Sequence, residues 1–159
     1  MISYYKGTSD TGAFIQHLLP YVDSYYMSIT ADSAKKEKLR LAEKEAQNAQ
    51  MLNRDYGRKV YAKRLVGTSA QLNNFAWDIY LSGTADFNCL TKALLWSRRS
   101  IEIEPRPAFY DTLAHILYRM QFFFEAEQMQ RKAIKLAETE GSDAENLKKE
   151  LKKIQERHL

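Results

Sequence analysis

Residues 107–136 read PAFYDTLAHILYRMQFFFEAEQMQRKAIKL and predict two helices joined by a short turn. Apolar residues recur every three or four positions in both halves, which is the period of one face of a helix. Pro107 suits the first turn of a helix, where its missing N–H leaves no hydrogen bond unmade. Ala114, Ala126 and Ala133 place small side chains on the apolar faces, so two helices can approach closely there. The stretch therefore predicts a helical hairpin.

A second pair of helices, within residues 68–105, precedes this hairpin at nearly the same spacing. Ala93 and Ala126 are 33 residues apart, and Ser100 and Ala133 are also 33 residues apart. Recurrence at a fixed period of this length is typical of helical repeat proteins.

The predicted helix ends support the same arrangement. Gly83 and Gly141 are expected to end helices, because glycine adopts the left-handed conformation that closes them. Two stretches, 68–71 and 142–145, fit the capping box, in which a Ser or Thr caps the first turn and a Gln or Glu reaches back. The second of these opens a last helix over residues 143–157.

The two hairpins resemble the tetratricopeptide repeat (TPR), a helix–turn–helix unit of about 34 residues. In the second repeat, the matching residues are Tyr110, Leu113, Ala114 and Leu117, then Ala126 and Ala133. In the first repeat, they are Leu72, Phe75, Ala76 and Ile79, then Ala93, Ser100 and Pro105. Gln121 departs from the pattern, because a glycine is common at that turn. The resemblance implies an all-α fold of TPR-like helical hairpins, an α-α superhelix, with residues 143–157 as its polar capping helix.

The sequence divides into an N-terminal helical segment with a basic connector (residues 1–67) and the two TPR-like helix pairs with their capping helix (residues 68–159). We expect one helix over the first 30 residues, capped by Ser9 or Asp10 and bent by Pro20. A further helix is expected from about residue 34, with a break near Asn53, Asp55 and Gly57.

Charge is concentrated in the connector. The chain has 24 Lys and Arg against 20 Asp and Glu. Residues 34–64 carry ten of the basic and four of the acidic residues, a net charge of +6, whereas residues 65–159 are balanced. The sequence has no apolar run of about 20 residues that would predict a membrane span, and its first residues do not resemble a signal peptide.

Proteins with TPR arrays bind partners along the concave face that the first helix of each repeat lines. Mapping that face onto this sequence selects the candidate partner-binding residues Asn73, Trp77, Tyr80, Leu81, Asp111, His115, Tyr118 and Arg119. Trp, Tyr and Arg are typical anchors of protein interfaces. A second interpretation stays open, in which the N-terminal helix packs into this groove and the aromatic residues belong to the core.

A narrower resemblance concerns three runs, Leu72–Trp77, Ala93–Glu102 and Asp111–Tyr118. They are similar to the C-terminal helical region of exported bacterial thioredoxin-domain proteins. The resemblance implies that the chain is an accessory domain of a larger exported protein, located in the periplasm or cell envelope; otherwise a cytoplasmic location is expected. No Cys-x-x-Cys is present, so no redox activity is implied.

The sequence therefore predicts a module for protein–protein interaction or scaffolding, whose partner is a protein, a peptide or a neighbouring domain. Nucleic-acid binding by residues 34–64 is the alternative, because Tyr56 and Tyr61 lie among several Arg and Lys residues. We predict no enzyme activity, no cofactor and no metal site, since the histidines are dispersed and nothing nominates a catalytic group. Cys89 is interpreted as a small buried apolar residue. At least one ring of Phe122–Phe124 is expected to be exposed or to contact another element, such as the N-terminal segment or a partner.

Overall fold

The computed structural model of the chain describes residues 10–51 and 67–159. These residues form an all-α fold with no strand. The α-helices are α1 (Thr11–Tyr21), α2 (Ala31–Met51), α3 (Thr68–Leu81), α4 (Phe87–Ile103), α5 (Pro107–Arg119), α6 (Phe123–Thr139) and α7 (Glu145–Glu156). In this part of the chain, every helix is too short or too polar to cross a membrane.

The first helix continues past Pro20 and changes type. Asp10 caps it, since its Oδ1 accepts a hydrogen bond of 3.0 Å from the N–H of Ala13. Pro20 lies inside α1 and cannot donate a backbone hydrogen bond. A π-helical turn follows over Val22–Tyr26 and is closed by a hydrogen bond from the N–H of Met27 to the carbonyl of Val22. The proline is thus accommodated by a wider helical turn directly after it.

The helix starts differ from the expected ones by one to three residues. Thr30 caps α2, because its hydroxyl accepts a hydrogen bond from the N–H of Ser33. The capping box predicted for residues 68–71 is wrong: Gly67 holds the cap position of α3 without a side-chain bond. The one predicted for residues 142–145 is also wrong, since Asp143 accepts from the N–H of Glu145 instead. Sequence spacing alone did not show which residue is the last outside the helix.

Four helix ends are closed by a residue in the left-handed conformation. Gly83 and Gly141 close α3 and α6 with φ of 74° and 68°, as predicted. Gln121 and Arg157 do the same after α5 and α7 with φ of 67° and 62°. After α5, α6 and α7, the N–H of the left-handed residue and the N–H of the residue that follows it both donate to carbonyls of the last turn, which is the pattern of the Schellman motif. Gln121 therefore adopts the left-handed conformation at the turn where the repeat pattern commonly has a glycine.

Consecutive helices from α3 to α7 pack against each other, and α3 also contacts α5. The small residues predicted at the contacts are all completely buried; they are Ala76, Ala93, Ser100, Ala114, Ala126 and Ala133. Small buried side chains let the helix axes approach closely.

The N-terminal helices add a layer on the α3–α4 hairpin. Phe14, Leu18 and Val22 share one core with residues of α3 and α4, among them Leu72 and Trp96. Asp23 fixes this packing, because it pairs with Lys92 of α4 and accepts a hydrogen bond from the indole of Trp96. The break predicted near Asn53 and Gly57 lies outside the described residues.

Candidate partner-binding groove

An open hollow of about 380 Å³ lies on the side of the molecule where α3, α5 and α7 come together. We refer to it as the groove. Each of these three helices contributes side chains, and the residues after α7 complete the lining. The groove is lined by Trp77, Tyr80, Asp111, His115, Glu150, Lys153, His158 and Leu159.

Three rings form the groove's aromatic wall. The Trp77 and Tyr80 rings are stacked, with centroids 4.9 Å apart and planes inclined by 24°. The His115 ring presents its edge to both of them, at 5.3 Å and 5.2 Å. Trp77 and Tyr80 remain partly exposed, whereas His115 is buried. The stacked pair is therefore a rigid apolar surface that solvent reaches.

The imidazole of His115 has a defined orientation. Its Nδ1 lies 2.9 Å from the carbonyl oxygen of Asp111, which can only accept, so Nδ1 carries the proton. Its Nε2 faces the carboxylate of Glu150 at 3.5 Å. The histidine ring therefore lies between the Asp111 carbonyl of its own helix and the Glu150 side chain of α7.

The acidic side chains of the groove are held by neighbours. Asp111 accepts a 2.7 Å hydrogen bond from the amide of Gln130, a fully buried residue of α6 that also bonds the carbonyl of Leu147. Glu150 accepts a 2.7 Å bond from Lys153, and this bond raises the pKa of the lysine. These contacts fix the positions of the charges, and the acidic groups outnumber the lysine.

Residues 157–159, which we call the return segment, fold back into the groove. Arg157 reverses the chain through its left-handed backbone, and the N–H of His158 bonds the carbonyl of Lys153 at 2.9 Å. The N–H of Leu159 then donates to the hydroxyl of Tyr118 at 3.3 Å. The Leu159 side chain packs against a buried cluster that includes Leu117 and Ile154. Part of the groove is thus covered by the chain itself.

Four of the predicted site residues come together in the groove: Trp77, Tyr80, Asp111 and His115. Tyr118 lies beside them and holds the return segment. Arg119 has a structural role, since it donates to the carbonyl of Tyr80 at 2.6 Å and covers one face of that ring at 4.2 Å. Asn73 is buried and does not line the groove, and Leu81 is exposed outside it.

Glu150, Lys153, His158 and Leu159 were missed by the sequence reasoning. We treated α7 as a polar capping helix and gave it no place in the groove. Its position as the third helix in the α3, α5, α7 series was the available signal, because these helices line one face. The return segment carried no signal, since an arginine does not indicate a left-handed turn.

The interpretation in which the N-terminal helix fills the groove is not what the described residues show. The π-helical turn contacts α3, and α1 and α2 contact α4. Tyr21 and Tyr26 lie against the ring of Phe75. None of the described N-terminal residues lines the groove.

Other predicted features lie away from the groove. Phe124 is 71% exposed and Phe122 is 42% exposed, as expected for three consecutive rings. Cys89 is buried, and burial together with Asp86 raises the pKa of its thiol. Within the described ranges, no group of three or more His, Cys, Asp or Glu residues is placed to hold a metal ion. Tyr56, Tyr61 and their basic neighbours lie outside the described residues, so nucleic-acid binding by residues 34–64 stays a prediction.

Comparisons of the chain with protein-family models, curated proteins and solved structures find no match. The TPR-like and thioredoxin-associated resemblances therefore stay predictions, and function is argued from the groove alone.

Proposed function

We propose that this chain is a TPR-like protein-interaction module whose groove binds an extended segment of a partner protein. The observation that carries the proposal is the stacked Trp77–Tyr80 pair, held rigid by His115 on the wall of an open hollow. Aromatic anchors of this kind supply much of the binding energy at protein interfaces. A preorganised aromatic wall also loses little side-chain freedom when a partner docks.

The polar groups of the groove favour binding over catalysis. Asp111 and Glu150 are engaged by Gln130 and Lys153, and His115 is held between the two carboxylates. Among the described residues, the lining of the groove includes no Ser, Thr or Cys that His115 could activate as a nucleophile, and its acidic groups set a charge preference for a ligand. We therefore propose a binding module and not an enzyme.

The TPR-like part of the proposal is supported by helix order and by packing. Helices α3 to α7 follow one another along the chain with short connections. Helix α3 also contacts α5, the next helix but one in the sequence. The small residues that match the repeat pattern are buried at the helix contacts. The resemblance to thioredoxin-associated helical regions makes a neighbouring domain of a longer chain one candidate partner.

The proposal is tested by selecting binders from a displayed random-peptide library on the immobilised protein. We expect enriched peptides to lose binding to a Trp77→Ala variant whose fold is verified by circular dichroism. The matched control is Phe124→Ala, which removes an exposed aromatic ring outside the groove. Peptides that bind the Trp77→Ala variant as well as the wild type would contradict the proposal.

A further inference from the structure

The return segment makes three kinds of contact where it enters the groove. The side chain of Leu159 packs on an apolar cluster formed by α5, α6 and α7. Its backbone N–H donates to the hydroxyl of Tyr118. The preceding residue, His158, lines the groove together with Asp111 and Glu150. An aliphatic side chain, a backbone donor and an imidazole therefore lie next to one another on this side of the groove.

Arg157, the first residue of the return segment, makes a further contact outside the groove. Its guanidinium lies 4.1 Å above the ring of Phe123, within the range of cation–π attraction. The Phe123 ring in turn contacts that of Tyr118 at 5.1 Å. Along the segment, Arg157 thus lies on an aromatic ring, His158 lines the groove beside Asp111 and Glu150, and Leu159 packs on an apolar cluster.

We propose that the groove recognises an extended peptide segment in which basic residues precede an aliphatic residue, and that the return segment occupies the groove as an intramolecular copy of this ligand. The proposal rests on the proposed function, because it names the partner chemistry of the same groove. The charge of the groove suits a basic segment, since two carboxylates, Asp111 and Glu150, line it against one lysine, Lys153. The Tyr118 hydroxyl accepts a hydrogen bond from a backbone N–H, which every peptide except one with proline at that position can donate. The selectivity of the groove among peptides therefore depends on their aliphatic and basic side chains.

An intramolecular copy lowers the apparent affinity for a partner. If the return segment is seated about nine-tenths of the time, the apparent affinity for a competing segment falls about tenfold. Removing His158 and Leu159 abolishes this competition. The chain therefore carries a partial block of its own binding groove.

Acrylamide quenching of tryptophan fluorescence reports on the groove, because Trp77 lines it whereas Trp96 is completely buried. A Trp77→Phe variant identifies the Trp77 contribution. We expect stronger quenching of Trp77 in a chain lacking residues 158 and 159, and in the full chain with Leu159→Ala. The second variant keeps the backbone intact and gives the same information if the shortened chain is unstable.

An amidated peptide with the sequence of residues 153–159 supplies the ligand in trans. We expect it to restore the protection of Trp77 in the shortened chain and to bind that chain about tenfold more tightly than the full chain. The same peptide with alanine in place of Leu159 should not protect. Unchanged Trp77 quenching after removal of residues 158 and 159, or no protection by the peptide, would overturn the proposal.

The two proposals fail in different ways. If library-selected peptides require Trp77 but bind the full and shortened chains equally, the groove is a binding site and the return segment is not its ligand. If the 153–159 peptide binds the shortened chain but the library-selected peptides bind Trp77→Ala as tightly as the wild type, the intramolecular contact is real and the proposed function is wrong.

Discussion

Replacing Gln121 by glycine should stabilise the protein. Gln121 closes α5 in the left-handed conformation, with φ of 67°, and its side chain is exposed. This conformation costs a residue other than glycine about 1–2 kcal/mol. Glycine loses more backbone freedom on folding, which offsets about 0.5–1 kcal/mol of that relief. The Schellman bonds from the N–H groups of Gln121 and Phe122 involve only the backbone and are retained. We therefore expect Gln121→Gly to raise the free energy of unfolding by about 0.5–1 kcal/mol.

The matched control is Gln128→Gly, the same substitution at an exposed position inside α6. There glycine should lower the free energy of unfolding by about 0.5–1 kcal/mol, because the residue is in a right-handed helix. Urea and thermal unfolding followed by circular dichroism measure both variants, and the melting temperatures should shift in opposite directions by a few degrees, about 1–4 °C. Destabilisation of similar size by both substitutions would show that residue 121 is not left-handed, and would refute the reasoning.

Three further predictions concern the core and two perturbed side chains. Ala133→Leu should lower the free energy of unfolding by about 1–3 kcal/mol in urea titrations, because residue 133 is completely buried where helices meet; an unchanged midpoint would argue against this close packing. The thiol of Cys89 should react slowly with alkylating reagents in the native protein and rapidly in urea, since the side chain is buried and its pKa is raised; rapid native labelling would contradict its burial. Burial and a hydrogen bond with Tyr21 raise the pKa of Tyr26 to about 12. The phenol therefore stays protonated to a higher pH in the folded state than in the unfolded state. Its contribution to stability is complete below the ordinary tyrosine pKa of about 10 and is lost as pH rises towards 12. The difference in tyrosinate absorbance between the wild type and Tyr26→Phe tests this, and a residue 26 signal that titrates near pH 10 would contradict it.

The helices and much of the core were predictable because they depend on local patterns. Apolar periodicity located α3 to α7, and the spacing of small residues identified Ala114 and Ala133 as buried contacts. The helix starts were less predictable. At α3 the capping-box pattern of residues 68–71 is present, but the helix begins one residue earlier and Gly67 takes the cap position.

The groove was predictable only where it follows the repeat. Trp77, Tyr80, Asp111 and His115 were identified because the resemblance predicted one lining face on α3 and α5, and these four residues line the groove. The remaining part depends on the return segment. Its course is set by the left-handed Arg157, which local propensity disfavours. A tertiary contact with the Phe123 ring and a local hydrogen bond to the carbonyl of Ile154 stabilise this residue. A long-range arrangement of this kind leaves no periodic signal in the sequence.

The most direct test of the central claim is the binding of library-selected peptides to three proteins: the wild type, Trp77→Ala and Phe124→Ala. Fluorescence anisotropy of the labelled peptides measures the three affinities under the same conditions. We predict that Trp77→Ala weakens binding by at least about 2 kcal/mol, roughly thirtyfold, as for an interface hot spot, while Phe124→Ala leaves it unchanged. Equal affinity for the wild type and a folded Trp77→Ala variant would show that the groove of α3, α5 and α7 is not the binding site.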